Sequence, residues 1–188
     1  AWRKPLSDWL AMTEGWRNDP NWENVRYLLM VADIRCLYGD AGLIERIRTD
    51  YLESLGKRPG LLFHMLQNTL HHKITIGVLG NIITERYGED TGAFDIKYGA
   101  YIPLVNGIRL LALSAGLNEA STLGRLEQLR ASGQFSAEEI ERWREAFKTA
   151  LELRSAASHE KEDGMYSSRG MIEPNTLSKS GKRRLKSC

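Results

Sequence analysis

The side chains of this sequence best placed to do chemistry are six charges: Asp33, Arg35, Asp95, Lys97, Arg109 and Arg125. Arg109 is the most constrained of them. Between Pro103 and Gly116 only Asn106, Arg109 and Ser114 are polar, and Leu110 and Leu113 fall inside the arc these three define at about 100° per residue. A helix apolar nearly all round is a central helix, so Arg109 must snorkel to a rim or meet a buried carboxylate, because an unpaired buried charge is strongly unfavourable. Asp33 and Asp95 are the candidate partners, and Asp33, Asp95 and Arg109 are assigned together as a structural ion-pair set. On a helix Asp33 and Arg35 lie about 200° apart and cannot pair with each other. Two readings follow. In one, Asp33 accepts from a cation of the central helix and fixes the packing. In the other, Arg35, Lys97 and Arg125 line a basic rim that binds the phosphate of a substrate or an acidic partner.

Other constellations are weaker. His64, His71 and His72 invite a metal reading, but no third ligand stands at fixed spacing and there is no His-Glu-x-x-His, so an exposed helix end is the expectation and no metal site is assigned. Arg154 and His159 form an Arg-x4-His spacing similar to the ribonuclease motif of the small helical HEPN family, which leaves a metal-independent ribonuclease as an alternative function. No phosphate-binding Gly-x-x-x-x-Gly-Lys-Ser/Thr, no Gly-x-Gly-x-x-Gly, no Gly-x-Ser-x-Gly and no Asp-x-Asp pair on a strand occurs. No catalytic residue is therefore assigned.

The elements that must position these charges are helical. Ser7 is read as the cap of a first short helix, and Asn21 opens a second carrying Val25, Leu28, Leu29, Ala32 and Cys36 on one stripe as far as Gly39. Residues 41–57 form a third through Leu43, Ile44, Ile47, Tyr51, Leu52 and Leu55, and residues 61–72 a fourth. From Ile74 to Ile96 the run is β-branched and broken by glycines, as in a short hairpin or extended loop with its turn at residues 88–92. Asp95 then caps the next helical piece, and Ile102 before Pro103 predicts a kink or a restart. A short helix over 122–131 follows. Ser136 with Glu139 makes a capping box for a long one reaching about His159. Residues 162–188 read as a surface loop and basic tail, with a weak last helix. The expected fold is all-α, a bundle of about six or seven helices with an irregular or hairpin insertion near residues 74–96, in a single domain over 1–188.

Composition narrows the class. The formal charge of +2 over 188 residues conceals a C-terminal run of Lys179, Lys182, Arg183, Arg184 and Lys186, which leaves residues 1–178 at about −3. A dedicated nucleic-acid binder would carry its positive charge on a folded face, so nucleic acid is not an expected partner. Cys36 and Cys188 suggest neither a disulfide framework nor a zinc set, and a reducing cytoplasm is the simpler setting. No apolar run approaches the roughly 20 residues that span a bilayer, so no membrane partner is expected. Three of the five Trp lie in the first 16 residues. This segment, within residues 1–20, is expected to lie on the body of the domain, and its surface leaves an interaction or dimerisation module as a second alternative. The start at Ala1 is read as an excision from a longer chain.

Five ordered motifs carry a resemblance: Asp33-Ile34-Arg35-Cys36-Leu37-Tyr38-Gly39-Asp40, then Phe94-Asp95-Ile96-Lys97, then Pro103-Leu104-Val105 through Arg109-Leu110-Leu111-Ala112-Leu113, then Thr122 with Arg125-Leu126, and Leu153-Arg154. Together with the opening Trp2-Arg3-Lys4-Pro5-Leu6-Ser7-Asp8-Trp9, their order resembles the C-terminal nucleotidyltransferase substrate-binding domain (DUF294 C-terminal family), over essentially the whole chain. Such domains follow a nucleotidyltransferase module in bacterial signalling proteins similar to the uridylyltransferase of the nitrogen regulator PII, often behind cyclic-nucleotide-binding or CBS modules. The resemblance implies a helical bundle that helps select substrate and is not catalytic alone. It implies no cofactor in this chain, magnesium and a nucleoside triphosphate in the absent catalytic module, and as partners that upstream module and a signalling-protein acceptor.

Overall fold

The computed structural model describes residues 3–71, 75–77, 81–157, 159–162, 165–168 and 170–186. Its architecture is all-α, with eight α-helices among those residues and only short two-stranded pairings. The chain divides into two compact units, one of residues 1–71 with 106–135 and the other of residues 72–105 with 136–188. Where one core was expected, the described residues form two apolar clusters.

In the first unit, α1 (Leu6–Asn18), α2 (Trp22–Val31), α3 (Ala41–Lys57) and α4 (Pro59–Leu70) are joined by the later part of α5 (Ile102–Ser114) and by α6 (Thr122–Ala131). Helical spacing of apolar residues builds their core: Val25, Leu28 and Leu29 of α2 pack with Ile47, Tyr51 and Leu55 of α3, Leu61 and Met65 of α4, and Leu110 and Leu113 of α5. Trp9 and Trp16 of α1 lie against this cluster, and the Trp16 ring sits 5.1 Å from that of Tyr27. The N-terminal aromatic segment is thus packed down.

Local signals set most helix starts. Asn21 caps α2 by accepting from the N–H groups of Glu23 and Asn24 at 3.1 and 3.0 Å. Ser7 does not cap α1. Pro5 occupies the cap position and its carbonyl accepts from Trp9, while the Ser7 hydroxyl donates to Asp8. Proline there is extended by its ring and has no N–H to satisfy, which moves the helix start upstream of the serine. The end of α2 also differs, since it stops at Val31, well short of Gly39, and Cys36 lies beyond it.

In the second unit, the irregular run closes a narrow turn at residues 88–92. Gly77 donates to the Asn81 carbonyl at 2.8 Å, and Glu85 and Ala93 are joined across the 88–92 turn at 2.8 Å. The returning arm meets the run only at Ala93 among these bonds, and its next residues pair elsewhere. Strand β1 (Phe94–Asp95) is antiparallel to β4 (Met171–Ile172), so Phe94 faces Ile172. A second antiparallel pair, β2 (His159–Glu162) with β3 (Met165–Ser168), occupies much of the expected surface loop. A 3-10 turn over Pro174–Thr176 leads into α8 (Lys179–Lys186), whose Leu185 is wholly buried with Phe94, Ile96, Ala157 and Ile172. That apolar anchor is why the basic tail folds as a helix against α7 (Ala137–Ala156), where Arg184 also pairs with Glu152 at 2.9 Å. The capping box of Ser136 and Glu139 opens α7, which ends at Ala156 and not at His159.

The restart before Pro103 takes a specific form. A π-helical turn over Lys97–Tyr101 feeds directly into α5. Pro103 has no N–H to return to the Gly99 carbonyl four residues earlier, and that carbonyl accepts from Thr75 at 3.0 Å instead. A Cβ at Gly99 would collide with the Thr75 hydroxyl and lie 3.0 Å from the Thr75 Cβ and 3.2 Å from its backbone nitrogen, so a side chain there requires Thr75 to move.

Candidate functional site

The charged centre of the first unit is Asp33, in the turn just after α2. Arg109 of α5 meets it with Nε at 3.0 Å and with Nη2 on the other carboxylate oxygen, while its Nη1 donates to Asn106 one turn back on the same helix. Arg125 of α6 places Nη2 2.7 Å from Asp33 Oδ1 and also donates to the Ala32 carbonyl at 2.8 Å and, through Nε, to the Glu119 carbonyl at 2.8 Å. One carboxylate therefore serves two buried guanidiniums. Arg109 is 7 % exposed and Arg125 1 %, whereas the Asp33 side chain retains 38 %. Arg125 Nη1 finds no hydrogen-bond acceptor among the described residues.

A third guanidinium completes the centre. Arg48 of α3 is 8 % exposed, donates from Nε to Asn118 at 2.6 Å and from Nη1 to the Ile34 carbonyl at 2.8 Å. These backbone acceptors explain where α2 stops. In a continuing helix the carbonyls of Ala32 and Ile34 would accept from residues 36 and 38. Here arginines from α6 and α3 take them, and the backbone turns at Asp33 and Ile34 through bonds to Met30 and Val31 at 3.1 Å.

The electrostatics follow from burial. Desolvation lowers the Arg125 pKa, Asp33 acts against that, and the neighbouring Arg109 and Arg48 add to the lowering. Arginine nonetheless stays charged in proteins, so the cluster holds fixed positive charge with Asp33 as its nearest anion. The buried Tyr51 phenol, which donates to the Leu28 carbonyl at 2.9 Å, is pushed far up by desolvation, with Arg109 and Arg125 pulling the other way. Glu119 is held below the usual carboxylate range, chiefly by the Ser121 N–H at 2.7 Å.

The residues expected at a basic rim stand apart in character. Arg125 is no rim residue, because all but 1 % of it is inside the core and its Nε and Nη2 are engaged by two carbonyls and Asp33. Arg35 is exposed in the loop after α2. Lys97 begins the π-helical turn with its ammonium 4.8 Å from the Tyr98 ring centroid. Asp95, the second candidate partner for Arg109, uses its carboxylate to accept from the Tyr98 N–H at 2.9 Å and so caps the π turn. Arg48 escaped the sequence reading, although it lies four residues from Ile44 and three from Tyr51 on the buried stripe of α3. A charged residue in register with an apolar stripe is the signal that would have found it.

The rival sites are placed differently. Arg154 lies on α7 with its guanidinium 4.4 Å from the Tyr101 ring centroid, and His159 lies past the helix end in β2. His64 is exposed on α4, His71 stacks on Trp22 at 5.1 Å, and His72 lies outside the described residues. Among the described residues no group of three or more His, Cys, Asp or Glu side chains could hold a metal ion, and no helix is long and apolar enough to cross a membrane.

The family model described as "Putative nucleotidyltransferase substrate binding domain" (DUF294_C) matches residues 59–188, more than half of the chain. The match takes in α4 to α8, hence Arg109 and Arg125, and begins after Asp33. No curated protein and no solved structure matches.

Proposed function

The chain belongs to the nucleotidyltransferase substrate-binding domain family, and from that premise we propose that it is the substrate-recognition and regulatory domain of a signal-transduction nucleotidyltransferase of the uridylyltransferase type. The family match is the observation that carries this reading. The Asp33 centre supports it, because Arg48, Arg109 and Arg125 are committed to acceptors inside the unit, as befits a scaffold and not a reactive centre. Bond making belongs to an upstream module that binds magnesium and a nucleoside triphosphate, in a cytoplasmic protein whose acceptor is a signalling protein. Arg35 and Lys97, which keep solvent contact, offer secondary contacts to phosphate or to the acceptor.

Calorimetric titration of this chain with a nucleoside triphosphate and magnesium tests the division of labour. The expected dissociation constant is weaker than about 100 µM, corresponding to less than about 6 kcal/mol of binding free energy. Micromolar or tighter binding to this chain alone overturns the proposal.

A further inference from the structure

The second unit contains a groove of about 570 Å³ between the 89–93 turn, the C-terminal end of α7 and the stretch from β4 to Leu177. Its volume falls within the range of about 300–1,000 Å³ typical of ligand sites. Leu153, Ile172 and Leu177 make an apolar lining, and Asp90 and Glu173, with Glu89 beside them, supply acids. No Lys or Arg is among the described lining residues. Ala156 and Ala157 bring in the C-terminal pole of a 20-residue helix, which carries partial negative charge of its own.

These features select one chemistry. A nucleotide or any other anion is repelled by the acids of the rim, and a wholly apolar ligand would strip water from Asp90 and Glu173 and offer them no charge in return. A simple metal ion has no use for the aliphatic lining. A lysine or arginine flanked by apolar residues satisfies both parts, since its stem lies along apolar surface while its head meets the carboxylates. We infer that this groove docks a basic, amphipathic peptide segment of a partner protein. The assignment stands on the groove alone and does not depend on the transferase reading.

Fluorescence anisotropy of the 188-residue chain with a labelled Lys-Leu-Arg-Leu-Lys peptide tests it. Binding is expected to weaken about tenfold in the double variant Asp90→Asn with Glu173→Gln, and to weaken on raising salt from about 50 to about 300 mM. Glu138→Gln with Glu141→Gln, which removes two acids of α7 that do not line the groove, is expected to leave binding unchanged. In the unaltered chain the peptide should also slow amide exchange within residues 171–177, a readout independent of the variants. Equal loss in both double variants, equal binding of Glu-Leu-Glu-Leu-Glu, displacement of the peptide by equimolar spermidine, or unchanged exchange in 171–177 would each overturn the inference.

Discussion

Asp33 is the shared counter-ion of two guanidiniums that have almost no water of their own, Arg109 at 7 % and Arg125 at 1 % exposure. Removing the carboxylate leaves both charges buried without an anion, which is costlier than losing a solvated ion pair. Asp33→Ala is expected to destabilise the fold by about 3 kcal/mol, measured by urea unfolding. Asp33→Asn keeps an acceptor and should cost less. Equal stability of Asp33→Ala and the unaltered chain would show that the pair does not hold the unit together. Tyr51, in the same core, is held as the neutral phenol by burial. Its raised pKa means that the unfolded chain loses the proton first, so this contribution is intact below about pH 10 and declines as pH rises beyond the unfolded-state value. Tyr51→Phe should therefore flatten the alkaline fall in stability while costing about 1 kcal/mol at neutral pH through the lost bond to Leu28. An alkaline limb that stays unchanged in unfolding curves of Tyr51→Phe would assign it to another group.

Elements follow local rules until a distant side chain intervenes. The Asn21 and Ser136 caps and the full span of α3 were legible because each needs only neighbouring residues. The end of α2 was not, since the Ala32 and Ile34 carbonyls are taken by arginines 93 and 14 residues away. The start of α5 lies between these cases: Pro103 announces the break, but only the approach of Thr75 shows what uses the released Gly99 carbonyl. Gly99→Ala should force that approach apart and cost about 1–3 kcal/mol, with faster amide exchange at Thr75 as its local signature. Unchanged exchange at Thr75 would mean that the backbone tolerates a side chain there. The C-terminal helix illustrates the same limit. Its sequence is mostly charge, and it is the burial of Leu185 that gives it a place.

For the whole molecule, the ribonuclease alternative and the substrate-binding reading predict different behaviour. Arg154 is engaged with the Tyr101 ring, and α7 ends before His159. The purified chain should leave labelled RNA intact, and His159→Ala should change nothing; metal-independent cleavage lost in that variant would favour the ribonuclease. The pattern of caps, helical periods and breakers was enough to determine an all-α chain, and the nearly all-apolar helix around Arg109 was enough to require a counter-charge. Tertiary structure alone decided that Arg125 is a core cation and not a rim residue, that α2 yields its carbonyls to arginines, and that Phe94–Asp95 pairs with Met171–Ile172. The physical reason is range. A cap or a period is an interaction among residues a turn apart, whereas the burial of a charge depends on which acceptors the folded chain brings to it.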